Sequence, residues 1–222
     1  MTVDEYQQQY NKTYVIFYPL LTYQDANNNI YNTFPLQIVQ CTDPSLKKFK
    51  CLDFSNVSNY TLMQDTSNNI NIISQIYLNM YRGLDLNFQK TTVPNNCADQ
   101  TEKDDVINGN EAFVFLKLKS EQYNTTSKFI QKNYRTIYNY VYTQIFFTST
   151  INTQQQESYV NQGLVFQSQE KYTSPISYSW STQSFNRQLD PTTGAGLSAL
   201  ITVTIQMDQV VQYFFYLVSN IY

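Results

Sequence analysis

A mainly β fold is predicted, a two-sheet β-sandwich of jelly-roll-like type with one short helix near residues 99–108. Three observations predict it. Apolar and polar residues alternate with period two over most of the chain, Tyr, Ile, Val, Thr and Phe are abundant, and Asn-, Gln-, Gly- and Pro-containing connections separate the alternating runs. A single acid-rich segment, 99–107, breaks the pattern.

In chain order, strands are expected near 13–20, 35–40, 69–80, 111–119, 134–149, 159–169, 175–185, 198–207 and 209–218. The alternation is clearest where Tyr138, Tyr140 and Tyr142 interleave with Ile137 and Val141, and both faces are partly apolar there. Asp99 or Thr101 is placed to cap the helix, its carboxylates lie near the positive end of the helix dipole, and Gly109 stops it. The polar stretch Asn152–Ser158 reads as a loop, because apolar alternation resumes at Tyr159. Without an internal repeat or linker, residues 1–222 are read as one domain.

Composition narrows the function. Charged residues are 14% of the chain, against about 25% in average proteins, and 23 Asn, 24 Gln and 20 Tyr supply the polar surface instead. A net charge of −3 gives no overall basic footprint, so nucleic acid is not an expected partner. The chain contains no histidine, which removes Ser–His and Cys–His nucleophile pairs and His metal ligands. No cofactor or metal is expected, and an enzyme is the least favoured class.

Several motifs invite chemistry. Asp25-Ala26-Asn27-Asn28-Asn29 resembles the start of a calcium loop, but Ile30 and Leu36 stand where Gly and a bidentate Glu are needed, so an Asn-rich turn is expected. Gly194 and Gly196 form a lone G-x-G after Asp190-Pro191, which reads as a turn. Asp104 and Asp105 are adjacent on the helix and so point to different faces, unlike the paired carboxylates of a glycosidase. Cys97 lacks a histidine, although Lys103 could lower its pKa.

Cys41 and Cys51 enclose a turn built on Asp43-Pro44-Ser45 and are read as a disulfide, with two reduced thiols as the alternative; Cys97 is left over. Sequons begin at Asn11, Asn56, Asn59 and Asn124, about the number that chance gives for 23 Asn and this Ser/Thr content. They permit an extracytoplasmic location without requiring it. Among the aromatics, Tyr178 and Trp180 are two apart and share a face of a regular strand, with Phe185 on the other. Tyr172 precedes Pro175 and has no assigned face. Trp180 is read first as core, and the pair second as a platform for a sugar or partner.

The chain opens without a basic n-region or apolar h-region and contains no run of about 20 apolar residues. It closes on Val210–Val218, an apolar segment that reads as the edge of a piece of a longer protein.

F-P-L-Q-I-V-Q-C-T-D-P-S-L-K-K-F-K-C-L-D-F-S-N at 34–56, I-N-I-I-S-Q-I-Y-L-N-M-Y-R-G at 70–83, P-N-N-C-A-D at 94–99 and G-L-V-F-Q-S-Q-E-K-Y at 163–172 together resemble a large family of ciliate transmembrane proteins. The resemblance covers about residues 30 to 218. It implies an extracytoplasmic domain between two membrane spans, followed by a cytoplasmic tail, with Met1 as an internal starting point. It also implies that Gly83 stands where relatives tend to carry a cysteine, which leaves Cys97 without that partner. The expected function is a non-catalytic interaction or assembly module. Its partners are other, membrane-associated proteins, with a glycan as a further ligand and anchoring through spans outside these residues. Carbohydrate binding and a structural role in a ciliate-specific assembly are the alternatives.

Overall fold

The computed structural model describes residues 3–60, 64–65, 71–109, 112–124, 127, 129–162, 168–190, 192 and 195–218. It is mainly β. In order, the elements are α1 (Val3–Tyr10), β1 (Val15–Asp25), β2 (Ile30–Pro35), β3 (Gln37–Gln40), β4 (Lys50–Asp53), β5 (Gln64–Asp65), β6 (Ile72–Arg82), α2 (Gln100–Gly109), β7 (Phe113–Asn124), β8 (Phe129–Tyr140), β9 (Ile145–Gln162), β10 (Ser168–Asn186) and β11 (Ile201–Val218). The strands divide into a seven-stranded sheet and two two-stranded hairpins, β3–β4 and β7–β8.

The large sheet runs β10-β9-β11-β6-β1-β2, with β5 beside β6. All its ladders are antiparallel except β9–β11, which is parallel. Opposed pairs such as Leu21↔Ile76 and Phe17↔Met80 fix which residues face the core. Val15, Leu78, Met80, Ile151, Ile201 and Val203 bury that face against Ile107 of α2, Val114 of β7 and Ile137 of β8. Farther along the same strands, Leu21 and Ile76 pack with Leu36 and Val57, and with the partly buried Leu52 of β4. Both hydrophobic clusters therefore lie on one side of the sheet.

Local chemistry explains the joints. Asp25 Oδ1 accepts from the backbone N–H groups of Asn27 and Asn28 at 3.1 and 3.2 Å, and Asn29 takes a left-handed φ of 53°, so the Asn-rich segment is an Asx-type turn joining β1 to β2. The Asp99 carboxylate accepts from Glu102 N at 2.9 Å while Glu102 reaches back to Asp99 N at 3.2 Å, which is a capping box at the start of α2. Helix α1 was not expected. Its Gln7 Oε1 accepts from Tyr14 N and Val15 N at 2.7 and 2.9 Å, which anchors the helix to the first residue of β1.

Three expectations need correction. Asn152–Ser158 is not a loop: it lies within β9, between β10 and β11, where the ladders take up its backbone. Thr153, Gln156, Glu157 and Ser158 are buried there, so placement in a central strand overrides weak strand propensity. The single strand expected at 134–149 is split by a turn at 141–144, because Thr143 N donates to Asn108 Oδ1 and its hydroxyl accepts from Asn108 Nδ2. The two strands expected at 198–218 are one, with a register shift between Met207 and Val211.

The fold is tied by a buried ionic cluster. Asp85 is fully buried, and its Oδ1 accepts from Arg82 Nε at 3.0 Å and Gly196 N at 2.9 Å. Its Oδ2 accepts from Arg82 N at 2.7 Å and from the Arg187 guanidinium. Arg187 also donates to the carbonyls of Thr143 and Ser198. Gly196 is required because the Arg187 guanidinium occupies the space of a side chain at 196. Lys90, also fully buried, spends its ammonium on the carbonyls of Gly83, Asp85 and Thr92 at 2.7, 2.6 and 2.8 Å.

Asp85→Asn is expected to cost about 3–5 kcal/mol by leaving two guanidinium charges short of their counter-ion. Asp104→Asn, at the partly exposed pair with Arg82 (3.3 Å), should cost under about 1 kcal/mol. Denaturant unfolding of both variants checks the contrast. A pH effect follows from Asp43, whose carboxylate accepts from the Ser45 hydroxyl, Ser45 N and the Tyr134 hydroxyl and so titrates at about 2, below its ordinary value of 3.8. Because its folded pKa is depressed, its contribution is complete above pH 3.8 and is lost as pH falls through about 2. Tyr134 ring shifts followed by NMR should hold at pH 4 and move only in that window.

Candidate functional site

The alternation that buries one face of the large sheet turns a different set of residues to the other. Tyr18, Leu20 and Thr22 of β1 lie opposite Asn79, Tyr77 and Gln75 of β6, and Thr202 of β11 lies opposite Asn79. All of these but Gln75, with Tyr31 and Thr33 of β2, Tyr81 of β6 and Phe146 of β9, floor an open concavity of about 690 Å³. The segments 87–89 and 197–199 form its wall. Phe88, 88% exposed, and Leu197, 60% exposed, stand at the rim together with Tyr31. No residue lining this space carries a charge.

Hydrogen bonds hold the lining in place. The Tyr81 hydroxyl donates to Gln89 Oε1 at 2.8 Å and accepts from Asn87 Nδ2 at 2.9 Å, while Asn87 Oδ1 accepts from the N–H groups of Gln89 and Lys90. Tyr18 meets Tyr81 edge-on with centroids 5.7 Å apart. Thr202 donates to Asn79 Oδ1 at 2.7 Å. From the Tyr77 hydroxyl a one-way chain crosses four strands: to Gln75 (2.6 Å), from Gln75 to Gln206 (2.7 Å), from Gln206 to Asn152 (2.8 Å) and from Asn152 to Ser179 (2.8 Å). Each amide accepts on one side and donates on the other, so every amide orientation depends on its neighbour. Burial holds the phenols of Tyr77 and Tyr81 above their ordinary pKa of 10, so both stay neutral hydroxyls near neutral pH.

The residues singled out from sequence fall elsewhere. Cys41 and Cys51 are joined as a disulfide at the loop end of the β3–β4 hairpin. Such a bond belongs to an oxidising compartment. Trp180 is not core: it is 43% exposed, lies opposite Ile151 on the covered side of edge strand β10, and donates its indole N–H to Ser149 Oγ at 2.8 Å. The Tyr178 side chain lies outside the described residues. The β10 backbone carries a register shift between Ser177 and Ser179, so the two-residue spacing does not guarantee Tyr178 and Trp180 a shared face. Phe185 pairs with Phe146 on the open face, the side away from Trp180.

Asn11, Asn56 and Asn59 are exposed and Asn124 is half-buried; Thr61, Thr125 and Thr126, which complete two of the sequons, lie outside the described residues. Asp104 turns inward to Arg82 and Asp105 outward, so the pair shares no cleft. Gly196 serves Asp85, while Pro191, Thr193 and Gly194 lie outside the described residues. Lys103 Nζ sits 3.3 Å from Cys97 Sγ and also donates to the Ala98 carbonyl, and burial lowers the Lys103 pKa against the pull of the neighbouring sulfur. Among the described residues no group of three or more Cys, Asp or Glu is placed to hold a metal.

Sequence reasoning missed the concavity. Its signal is present in the alternating Tyr77, Asn79 and Tyr81 with Tyr18, Leu20 and Thr22, but only strand register shows that they meet. Comparison of the chain with family models, with curated proteins and with solved structures returns no match.

Gly83 lies against Cys97: a Cβ built at 83 falls 3.7 Å from Cys97 Cβ, within the span of a disulfide. Gly83→Cys is expected to bridge to Cys97 under oxidising conditions, and a non-reducing peptide map should find the linked peptides. Gly83→Ala, whose methyl meets the Cys97 sulfur without bonding, should lower the melting temperature.

Proposed function

We propose that this chain is a non-catalytic extracytoplasmic recognition module that takes a neutral, hydroxyl-rich ligand, a glycan, on the open face of its large sheet. One observation carries the reading: the concavity combines tyrosine and phenylalanine rings with amides and hydroxyls and has no charged lining residue. Rings give contact area to the apolar faces of a sugar, while neutral donors and acceptors match its hydroxyls. A phosphate- or carboxylate-bearing ligand would meet no counter-charge there. In this reading the β7–β8 hairpin serves as a short second layer of a sandwich-like fold, leaving the opposite sheet face to function.

The Cys41–Cys51 disulfide supports the extracytoplasmic placement and weighs against an intracellular structural subunit. Anchoring rests on the family resemblance alone. No helix among the described residues is long and apolar enough to cross a membrane, so spans outside these residues would supply it.

A neutral-glycan array followed by calorimetry tests the ligand. Tyr31→Ala and Phe88→Ala, both at exposed positions, should each weaken binding by roughly tenfold with little change in melting temperature, the effect of losing about 1–2 kcal/mol of ring contact. Absence of any neutral-glycan binding would sink the ligand assignment. Separately, alkylation of native protein before reduction should leave Cys41 and Cys51 unlabelled; labelling of both would sink the extracytoplasmic placement.

A further inference from the structure

The chain's charge is distributed unevenly between two surfaces. The β3–β4 and β7–β8 hairpins, residues 37–53, 113–124 and 129–140, carry seven of its 14 Lys and Arg residues against three carboxylates, an excess of four positive charges in a chain of net charge −3. The segments 3–12 and 99–109, which contain the two α-helices, carry six carboxylates against Lys12 and Lys103, an excess of four negative charges. Lys103 is buried and Asp104 turns inward to Arg82, so the outer surface keeps an excess of four negative charges, with Lys12 paired to Glu102.

The two hairpins form one continuous surface. Phe49, from the tip of β3–β4, lies 5.5 Å from Phe115 of β7, and Lys117 sits over the Phe49 ring at 4.3 Å. Asp43 accepts from Tyr134 and pairs with Lys132 at 3.6 Å. Strand pairing places Phe113 and Phe115 opposite Tyr140 and Tyr138 on one face of the hairpin, away from the buried Val114 and Ile137. Their rings form a stripe with centroids 4.8 to 6.1 Å apart, and Phe113, Tyr138 and Tyr140 are each about half exposed. Lys47, Lys48 and Lys50 are exposed beside Phe49. Exposed rings in a contiguous patch mark a surface that becomes covered, and aromatic rings are enriched at the centre of protein interfaces while lysines suit the polar rim.

We propose that copies of this chain associate head-to-tail, the basic, ring-bearing hairpin face of one seated on the acidic helix pair of the next. The excess charges match in size and oppose in sign, and the occupant that this complementarity fits is present on the same molecule. Such an interface is heterologous: each copy keeps one unused face of each kind, so assembly continues until a ring closes or a filament forms. The inference is independent of the glycan-binding reading, since the open sheet face takes no part in it.

Sedimentation velocity over a range of protein concentrations tests it. At low ionic strength the mass should rise with concentration, and about 0.5 M salt should reverse much of the rise. Two charge-reversed variants, Lys47→Glu/Lys48→Glu/Lys50→Glu and Asp4→Lys/Glu5→Lys/Asp105→Lys, should each need roughly tenfold higher concentration to associate. Mixed together they should associate again, because the mixture restores opposite charge across the interface. Circular dichroism melts check that each variant is folded, and single reversals replace a triple that is not. A wild-type chain that stays monomeric throughout overturns the proposal, as does association indifferent to both reversals. If the monomer instead retains heparin through the same lysines, the occupant is an acidic polymer and the proposal fails.

Discussion

One buried carboxylate organises this fold. Asp85 takes hydrogen bonds from two guanidinium groups and two backbone N–H groups in a site closed to solvent. Bringing these charges out of water is expensive and is offset only when every partner is in place. The partners come from the end of β6, from the residue after β10 and from the segment before β11, so three strand ends of the large sheet are fixed relative to one point. Arg187 extends the grip to the turn between β8 and β9 through the Thr143 carbonyl, and Thr143 is in turn bonded to Asn108 near the end of α2. Lys90 adds a third buried cation, which holds the 83–92 segment by its own carbonyls.

That segment also walls the concavity. Asn87 and Gln89 hold the Tyr81 hydroxyl, while the neighbouring Lys90 is locked into the ionic cluster. One loop thus joins the two regions: the ions lie on its inner side and the uncharged concavity on its outer side. The floor is equally constrained. Regular strands alternate their side chains, so the residues that pack Leu78 and Met80 into the core present Tyr77, Asn79 and Tyr81 on the other side. The amide chain from Tyr77 to Ser179 then locks the polar groups across β6, β11, β9 and β10. A surface built on a sheet in this way is preorganised.

Much of the framework was legible in the sequence, and what was missed has physical causes. Strand β6 shows its period plainly, Asp99, one of the two caps the sequence offers, announces α2, and the two cysteines ten residues apart flank a turn and pair. Residues 152–158 looked like a loop because their side chains are polar; their strand state comes from two neighbouring strands that no local pattern reveals. Period-two reasoning for Tyr178 and Trp180 assumed a regular strand, and the register shift beside them removed that premise. The ionic cluster joins Arg82 and Asp85, which are close in sequence, to the distant Arg187, and its charges look like ordinary surface charges until they meet. Net charge hid the basic hairpins in the same way, by averaging them with the acidic helices.

The strand order carries a consequence for how the protein is made. Strands β2, β1 and β6 form one half of the large sheet and β9 and β10 the other, and within that sheet the two halves meet only through β11. Since β11 follows every other described strand, ribosomal synthesis delivers both halves before the piece that joins them. Until residues 201–206 emerge, the β6 and β9 edges that will receive them have open backbone hydrogen-bonding groups. The nascent chain therefore carries an open β6 edge once residue 82 has emerged and a second open edge, on β9, once residue 162 has, and both stay unpaired until residue 201 follows, the interval in which a chaperone that covers strand edges would have the most to protect.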